Sequence, residues 1–189
     1  SRPGAVNTTL SGSYQEYAQY LTKLAKLCDS DLVVELGSND GLFASFFAEK
    51  GIRSIGVDPA ENLATTSIER GVHTITNYFS LALSNEILNE FGPAKVIVAN
   101  FMVANVDDLR DFMLGVKNLL APDGVFAMET NYALDVVDKF QLEVINHEHI
   151  SYFSVTSLSK FLEKYDLEIF VAKRVPSKSG SLRCYIRHK

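Results

Sequence analysis

The chain has few of the residues that several classes of protein require. Its two cysteines, Cys28 and Cys184, cannot by themselves form a disulfide framework or a zinc site. We expect both in the core, Cys28 on an apolar helical face and Cys184 within a strand. No signal peptide or transmembrane run is evident, so the cytoplasm is the default expectation. With a net charge of −5 and no basic stripe, neither nucleic acid nor a membrane is an expected partner.

The length of 189 residues suits one domain with a sizeable core. Residues 1–12 are predicted to be an N-terminal arm or remnant, and residues 13–189 to form the domain. The hydrophobic pattern predicts five strands alternating with helices, then a helix at 155–165 and two strands joined by a short connection. Residues 121–124 are expected to form a turn before the fifth strand. This order predicts a doubly wound α/β fold, Rossmann-like, with five parallel strands and a C-terminal antiparallel hairpin.

The turn after the first strand lacks two of the glycines of a dinucleotide-binding motif, because Asn39 and Leu42 stand in their places. It has instead the pattern Glu35, Gly37, Asp40, Gly41. Helix N-termini attract anions, so carboxylates crowded there argue against a pyrophosphate ligand. They favour a ligand that is positively charged and has no phosphate, such as S-adenosylmethionine. The alternative is that the glycines merely form a turn in some other α/β protein.

Polar residues at the ends of the next strands fit the same cofactor. Asp58 is placed to accept the ribose hydroxyls, as an acid does in dinucleotide folds. Asn77 and Tyr78 could pair with and cover the adenine, and Asn100 would face the reaction centre. The alternative for Asn77 is a helix cap shared with Ser80. Either Glu35 or Asp40 could take the ammonium of the methionine end.

A second unusual segment is His147-Glu148-His149, which lies beyond the fifth predicted strand. Histidines at i and i+2 without further clustered ligands are a weak metal signal, so no metal is expected. We predict a general base, His149 or His147, tuned by Glu148. Tyr152, Asn146 or Asn105 could supply a hydrogen bond to developing negative charge. Two loop histidines bonded to backbone are the structural alternative.

Several of these motifs together make the chain resemble the sugar C-methyltransferase family, whose members act on nucleotide-linked 4-keto-deoxysugars. They are Glu35-Leu36-Gly37-Ser38-Asn39-Asp40-Gly41, Gly56-Val57-Asp58-Pro59, Asn77-Tyr78-Phe79-Ser80, His147-Glu148-His149 with Ser151-Tyr152, and Gly180-Ser181-Leu182-Arg183. The resemblance covers nearly the whole chain from about Ser11. Family members typically also carry an N-terminal zinc-binding domain and a further C-terminal domain, so this chain resembles their central core.

The resemblance implies S-adenosylmethionine as cofactor, S-adenosylhomocysteine as product, and a small-molecule acceptor that is a sugar derivative. The implied cofactor residues are Glu35, Gly37, Ser38, Asn39, Asp40, Gly41, Asp58, Pro59, Asn77, Tyr78, Phe79 and Asn100. The implied catalytic residues are His149, His147 and Glu148, and the expected substrate residues are Asn146, Tyr152 and Lys178.

The substrate half departs from the family pattern. The family has a tyrosine where this chain has Asn146, a histidine at Asn105, and a histidine at Lys178. C-methylation of a sugar is therefore expected alongside two alternatives, O-methylation of a glycan or other hydroxyl acceptor and a non-catalytic cofactor-binding module. The sequence leaves the oligomeric state open.

Overall fold

A seven-stranded sheet dominates the computed structural model, which describes residues 8–141, 145, 147–177 and 180–189, with side chains from Gly12 onward. The strands are β1 Leu32–Leu36, β2 Arg53–Val57, β3 His73–Ile75, β4 Ala94–Asn100, β5 Leu120–Asn131, β6 Leu167–Val175 and β7 Ser181–His188. Their order across the sheet is β3-β2-β1-β4-β5-β7-β6. The first five pair in parallel, whereas β7 pairs antiparallel with both β5 and β6. The predicted doubly wound fold with a C-terminal hairpin is confirmed.

Helices cover both faces of this sheet. They are α1 Thr8–Leu24, α2 Leu42–Ala48, α3 Glu61–Glu69, α4 Leu81–Phe91, α5 Leu109–Leu119, α6 Ala133–Asp138 and α7 Val155–Leu162, with 3₁₀ turns at Val103–Asn105 and Glu163–Tyr165. The central strand β1 is buried at every position, so it faces a core on each side. Val33 belongs to the cluster under α1 and α2, and Val34 to the cluster under α4, α5 and α7.

The N-terminal region differs from the prediction in two ways. Helix α1 begins at Thr8, so it takes in part of the segment expected to be an arm. Cys28 was expected in the core, but the helix ends at Leu24 and Cys28 is exposed, with its thiol 3.2 Å from Asp31 Oδ2. The apolar spacing of α1 therefore stops one turn before the cysteine. Cys184 is buried, as predicted.

The predicted turn at 121–124 is also wrong, because these residues lie inside β5. Leu120 pairs with Ala94 and Val125 with Val96, so a register shift accommodates Pro122 between the two pairs. A proline that cannot continue a ladder is tolerated at such a bulge. The short helix α6, which directly follows β5, was not anticipated at all.

Two glycines with the same backbone conformation allow a test of the turn after β1. Gly41 has φ +74°, and a Cβ there would meet the Ser67 hydroxyl, with Ser67 Cβ at 3.0 Å. Gly51 has φ +77° and open space around it. We expect Gly51→Ala to cost only the left-handed strain, about 1–2 kcal/mol, and Gly41→Ala to cost clearly more. Chemical denaturation measures both, and equal losses would contradict the tight contact between this turn and α3.

Candidate functional site

The turn between β1 and α2 contains three residues with positive φ, a backbone conformation that residues other than glycine rarely adopt. Gly37, Asn39 and Gly41 have φ of +70°, +51° and +74°. Gly37 donates its N–H to the Val57 carbonyl at 2.8 Å, which fastens the turn to the end of β2. A Cβ at Gly37 would lie 3.1 Å from the Met102 side chain, so only glycine keeps this approach open.

Glu35 lies beneath this turn as a buried acid, with 5% of its surface exposed. Its Oε2 accepts a 3.0 Å hydrogen bond from the Ala44 N–H in α2. Burial raises the pKa of Glu35 to about 8; the Ala44 hydrogen bond opposes this, and Asp40 and Asp58 add to it. No cationic side chain forms an ion pair with it among the described residues. A positive ligand group would therefore favour its ionised form.

The two other acids of the turn have different surroundings. Asp58 accepts hydrogen bonds from the Asn39 N–H at 2.8 Å and the Ala60 N–H at 2.9 Å, so it joins the ends of β1 and β2. Its oxygens keep further lone pairs for a ligand. Asp40 forms a 3.0 Å ion pair with Arg70. The sequence analysis did not identify Arg70 as a partner. Its charge offsets that of Asp40, so of the two acids Glu35 and Asp40 it is Glu35 that has no cationic partner among the described residues.

The predicted cofactor residues that follow β3 differ in their exposure and contacts. Asn77 and the following Tyr78 are exposed, the latter at 76%, and the Asn77 side chain accepts the Tyr78 N–H at 2.8 Å. Phe79 instead packs edge-on against Phe112, with ring centroids 5.4 Å apart, and so lies against the core. Ser80 caps α4 by accepting the Leu83 N–H, and Asp111 accepts the Leu81 N–H. Pro59 is exposed.

Two buried polar side chains at the strand ends have no hydrogen-bond partner among the described residues. They are the Ser38 hydroxyl, in the turn after β1, and the amide of Asn100, at the end of β4. Both nitrogen and oxygen of the Asn100 amide lack one. Buried polar groups are normally paired, so such atoms mark places where a ligand can complete the bonding. The polar groups of an adenosyl cofactor are of the kind that could supply these bonds.

A cavity of about 640 Å³ opens between α1 and the sheet, beside these strand ends. Its walls come from three regions: the middle turns of α1, the residue that follows β4, and the strands β5, β6 and β7 with the β6–β7 connection. Sequence reasoning missed most of its lining, including Tyr14, Tyr17, Tyr20, Phe101, Glu129 and Lys173. Helical spacing could have placed the tyrosines on one face of α1, but it does not reveal what that face covers.

A row of charges crosses the floor of this cavity. Glu129 on β5 pairs in register with Arg183 on β7, which in turn pairs with Lys173 on β6. The Arg183 guanidinium lies 2.6 Å from Glu129 and stacks 3.6 Å from the centre of the Tyr17 ring. The Lys173 ammonium lies 3.6 Å over the Tyr20 ring. Aromatic rings thus hold both cations at the surface of the cavity.

The His-Glu-His segment is brought against the end of β4 by main-chain bonds. The N–H groups of Ile150 and Ser151 donate to the Ala104 carbonyl at 2.8 and 3.1 Å. His147 and Glu148 are exposed, whereas His149 is half-buried, with its ring 6.0 Å from that of Tyr152. The predicted Asn146 and Lys178 lie outside the described residues, so the structure says nothing of them.

A further carboxylate supports the hairpin beside the cavity. Asp135 of α6 is fully buried and forms ion pairs with Arg174 of β6 and, at 3.5 Å, with Lys139. Ser177 in the β6–β7 connection donates a hydrogen bond to Glu129. The connection is therefore fixed from two sides. Neither Asp135 nor Arg174 was a sequence candidate, because nothing local signals a pairing 39 positions apart in the chain (174 minus 135).

Comparison with known proteins identifies the family of the chain. The model of a family described as a methyltransferase domain matches residues 11–170. The chain belongs to the methyltransferase-domain family. It is also 37% identical over 171 residues to the C-methyltransferase NovU of Streptomyces niveus, covering 87% of this chain and 41% of that protein. The chain thus spans about two fifths of the length of this curated relative.

Solved structures agree on the fold. An S-adenosylmethionine-dependent methyltransferase from Clostridium acetobutylicum superposes with a TM-score of 0.71 at 12% identity, covering 94% of this chain and 92% of that one. Magnesium protoporphyrin IX methyltransferase from Synechocystis, with bound SAH, gives a TM-score of 0.69 at 12% identity, covering 100% and 90%. The methyltransferase domain is of the S-adenosylmethionine-dependent class. In the part of the chain that the structure describes, no helix is both long and apolar enough to span a membrane.

The raised pKa of Glu35 gives the methyltransferase domain a measurable pH dependence. The folded state holds the Glu35 proton up to about pH 8, whereas the unfolded chain releases it near pH 4.5. Folding stability therefore falls as pH rises through this window. We expect Glu35→Gln, which keeps an oxygen for the Ala44 N–H, to flatten that fall and to be more stable than the native domain at pH 9.

The control is Glu16→Gln, which changes an exposed carboxyl that lines the cavity. Thermal unfolding between pH 5 and 9 measures both variants. A Glu35→Gln curve parallel to that of the native domain would show that Glu35 ionises normally.

Proposed function

We propose that this domain transfers a methyl group from S-adenosylmethionine to a sugar, a nucleotide-linked keto-deoxysugar that is methylated at carbon. The carrying observation is the pair of main-chain bonds that seat the His-Glu-His segment on Ala104, just beyond β4. They bring a titratable imidazole to the edge of the sheet where ligands of this fold bind. The relative NovU, named a C-methyltransferase, supports the choice of carbon as the methylated atom.

The cofactor would lie across the ends of β1, β2 and β4. Glu35 would bind the ammonium, Asp58 the ribose hydroxyls, and Gly37 would let the backbone approach closely. The unpartnered Ser38 hydroxyl and Asn100 amide would complete their hydrogen bonds there. When bound, the cofactor supplies an electrophilic methyl group on a positively charged sulfur. Of the other predicted contacts, Asn39 would act through its backbone, and Asp40 through its ion pair with Arg70.

The remaining predicted cofactor contacts would contribute less to cofactor affinity. Tyr78 is exposed and would have to turn towards the adenine, and Asn77 would have to release the Tyr78 N–H. Phe79 would act only by packing, because its ring belongs to the core. Pro59 and Gly41 would fix the course of the backbone beside the ligand. The cofactor affinity should therefore depend more on Glu35 and Asp58 than on the segment after β3.

The acceptor would occupy the cavity between α1 and the hairpin. His149, half-buried beside Tyr152, would take the proton from the acceptor atom that is to be methylated, and Glu148 would tune it. The cavity is lined by aromatic side chains and has a volume of about 640 Å³. This volume has room for a sugar that carries a further ring system. Closing the cavity would exclude water from the reacting atoms. Tyr152, Asn146 and Lys178 remain the proposed acceptor contacts.

A second candidate is O-methylation of a hydroxyl acceptor, which Asn146 favours. Removing a proton next to a ketone creates an enolate, whose charge needs a hydrogen-bond donor. The related family places a tyrosine where this chain has Asn146. A hydroxyl acceptor needs a base but no such donor, so the substitution costs that reaction less.

Substitution of the imidazoles tests the base. We expect His149→Asn to reduce methyl transfer to a dTDP-linked 4-keto-6-deoxyhexose by roughly 10²- to 10⁴-fold, with S-adenosylhomocysteine affinity unchanged. His147→Asn should lose much less, because His147 is exposed. Mass spectrometry of the product measures turnover and calorimetry the affinity.

The matched control is His73→Asn, an exposed histidine on β3 far from the His-Glu-His segment along the chain. Near-normal turnover of His149→Asn would rule out His149 as the base. Cofactor binding without methyl transfer to keto or hydroxyl sugars would instead favour a non-catalytic binding module.

A further inference from the structure

Tyr14 lies where the cofactor side of the site meets the cavity. It is a half-buried residue of α1 that lines the cavity. Its ring packs edge-on against Phe43 of α2, with ring centroids 5.3 Å apart at 81°. Tyr17, one turn along, packs on the same Phe43 at 5.0 Å. The ring of Tyr14 is therefore held by the helix that follows the cofactor turn, and it did not figure among the sequence candidates.

The charges around Tyr14 come from both sides of the site. Burial raises its pKa, and the carboxylates of Glu35, Glu129 and Asp40 raise it further, against an opposing effect of Arg183. Glu35 leads into the cofactor turn, whereas Glu129 belongs to the cavity floor. Tyr14 thus stays a neutral phenol beside acidic side chains, within electrostatic reach of both halves of the site.

The acids around Tyr14 are not all paired with cations in the protein. Asp40 is paired with Arg70, and Glu129 with Arg183. Glu35 has no cationic partner among the described residues, and burial raises its pKa to about 8, so it becomes charged near pH 7 only when a positive ligand group binds beside it. A phenol ring adds to this preference, because its face carries negative electrostatic potential. One aromatic group and one uncompensated acid are thus placed together at the junction.

We propose that Tyr14 is a specificity-determining residue that recognises the positive charge on the cofactor's sulfur, so that it distinguishes S-adenosylmethionine from S-adenosylhomocysteine. This rests on the proposed placement of the cofactor. The ammonium is common to both molecules and is served by Glu35. The sulfur is cationic before transfer and neutral afterwards, so an interaction with that charge is lost with the methyl group. Tyr14 therefore favours the substrate form and weakens retention of the product.

Calorimetry of the whole chain tests this without any acceptor. We expect Tyr14→Leu to weaken binding of S-adenosylmethionine by about 2- to 30-fold, the range of a cation–π contact. Sinefungin, which has a protonated amine near the sulfur position, should weaken alike. S-adenosylhomocysteine should change little. Tyr20→Leu is the matched control, a half-buried tyrosine of the same helix and cavity, and should leave all three affinities nearly unchanged.

A second variant keeps the test valid if Tyr14→Leu does not fold. Trifluorophenylalanine at residue 14 keeps the shape of the ring but removes the negative potential of its face, and it should reproduce the selective loss. Equal losses for the cationic and neutral ligands would overturn the role of Tyr14 and leave only a packing role. Failure of the native chain to bind any of the three ligands would instead overturn the proposed cofactor site.

Discussion

The parallel pairing of β1 through β5 is the constraint on which the site depends. Because parallel strands share one direction, their carboxyl ends meet at one edge of the sheet, and residues far apart in sequence become neighbours. Glu35 and Asp58 come from adjacent strands, and Asn100 comes from the strand on the other side of β1. Strand β7 carries Arg183 to the same edge from the opposite chain direction, and β6, which runs in the direction of the parallel strands, carries Lys173 there.

Two groups of residues lie at this edge, and they differ in chemical character. The turn after β1 is built from positive-φ backbone and a buried acid, which suits close contact with a cationic ligand. The cavity beside it is built from aromatic rings and from cations held on those rings. The two meet at Tyr14. Under the proposed function, the turn would hold the cofactor and the cavity would hold the acceptor.

The sequence predicted what depends on local pattern. Strand and helix order follow from hydrophobic period, and the role of Gly37 and Gly41 as turn residues follows from their spacing. Pairings across the fold were beyond reach, such as Asp40 with Arg70 and Asp135 with Arg174, because a single sequence carries no signal for contacts between distant elements. The contact of Phe79 with Phe112 was beyond reach for the same reason. The resemblance implied Phe79 only as a cofactor residue, and that role stays a prediction.

Local signals also failed where tertiary structure overrode them. Pro122, Asp123 and Gly124 read as a turn, yet a bulge opposite β4 absorbs them into β5. Cys28 continued the apolar spacing of α1, yet the chain leaves the helix at Leu24 and exposes it. In both cases the pattern of residue types was real, and the packing of neighbouring strands and helices decided where the element ended.

The central claim is that the edge formed by β1, β2 and β4 binds an adenosyl cofactor and not a dinucleotide. Calorimetric titration of the chain with S-adenosylhomocysteine and with NAD tests it most directly. We expect a dissociation constant on the order of micromolar for the adenosyl ligand and no heat for NAD. Binding of NAD together with no binding of S-adenosylhomocysteine would contradict this claim.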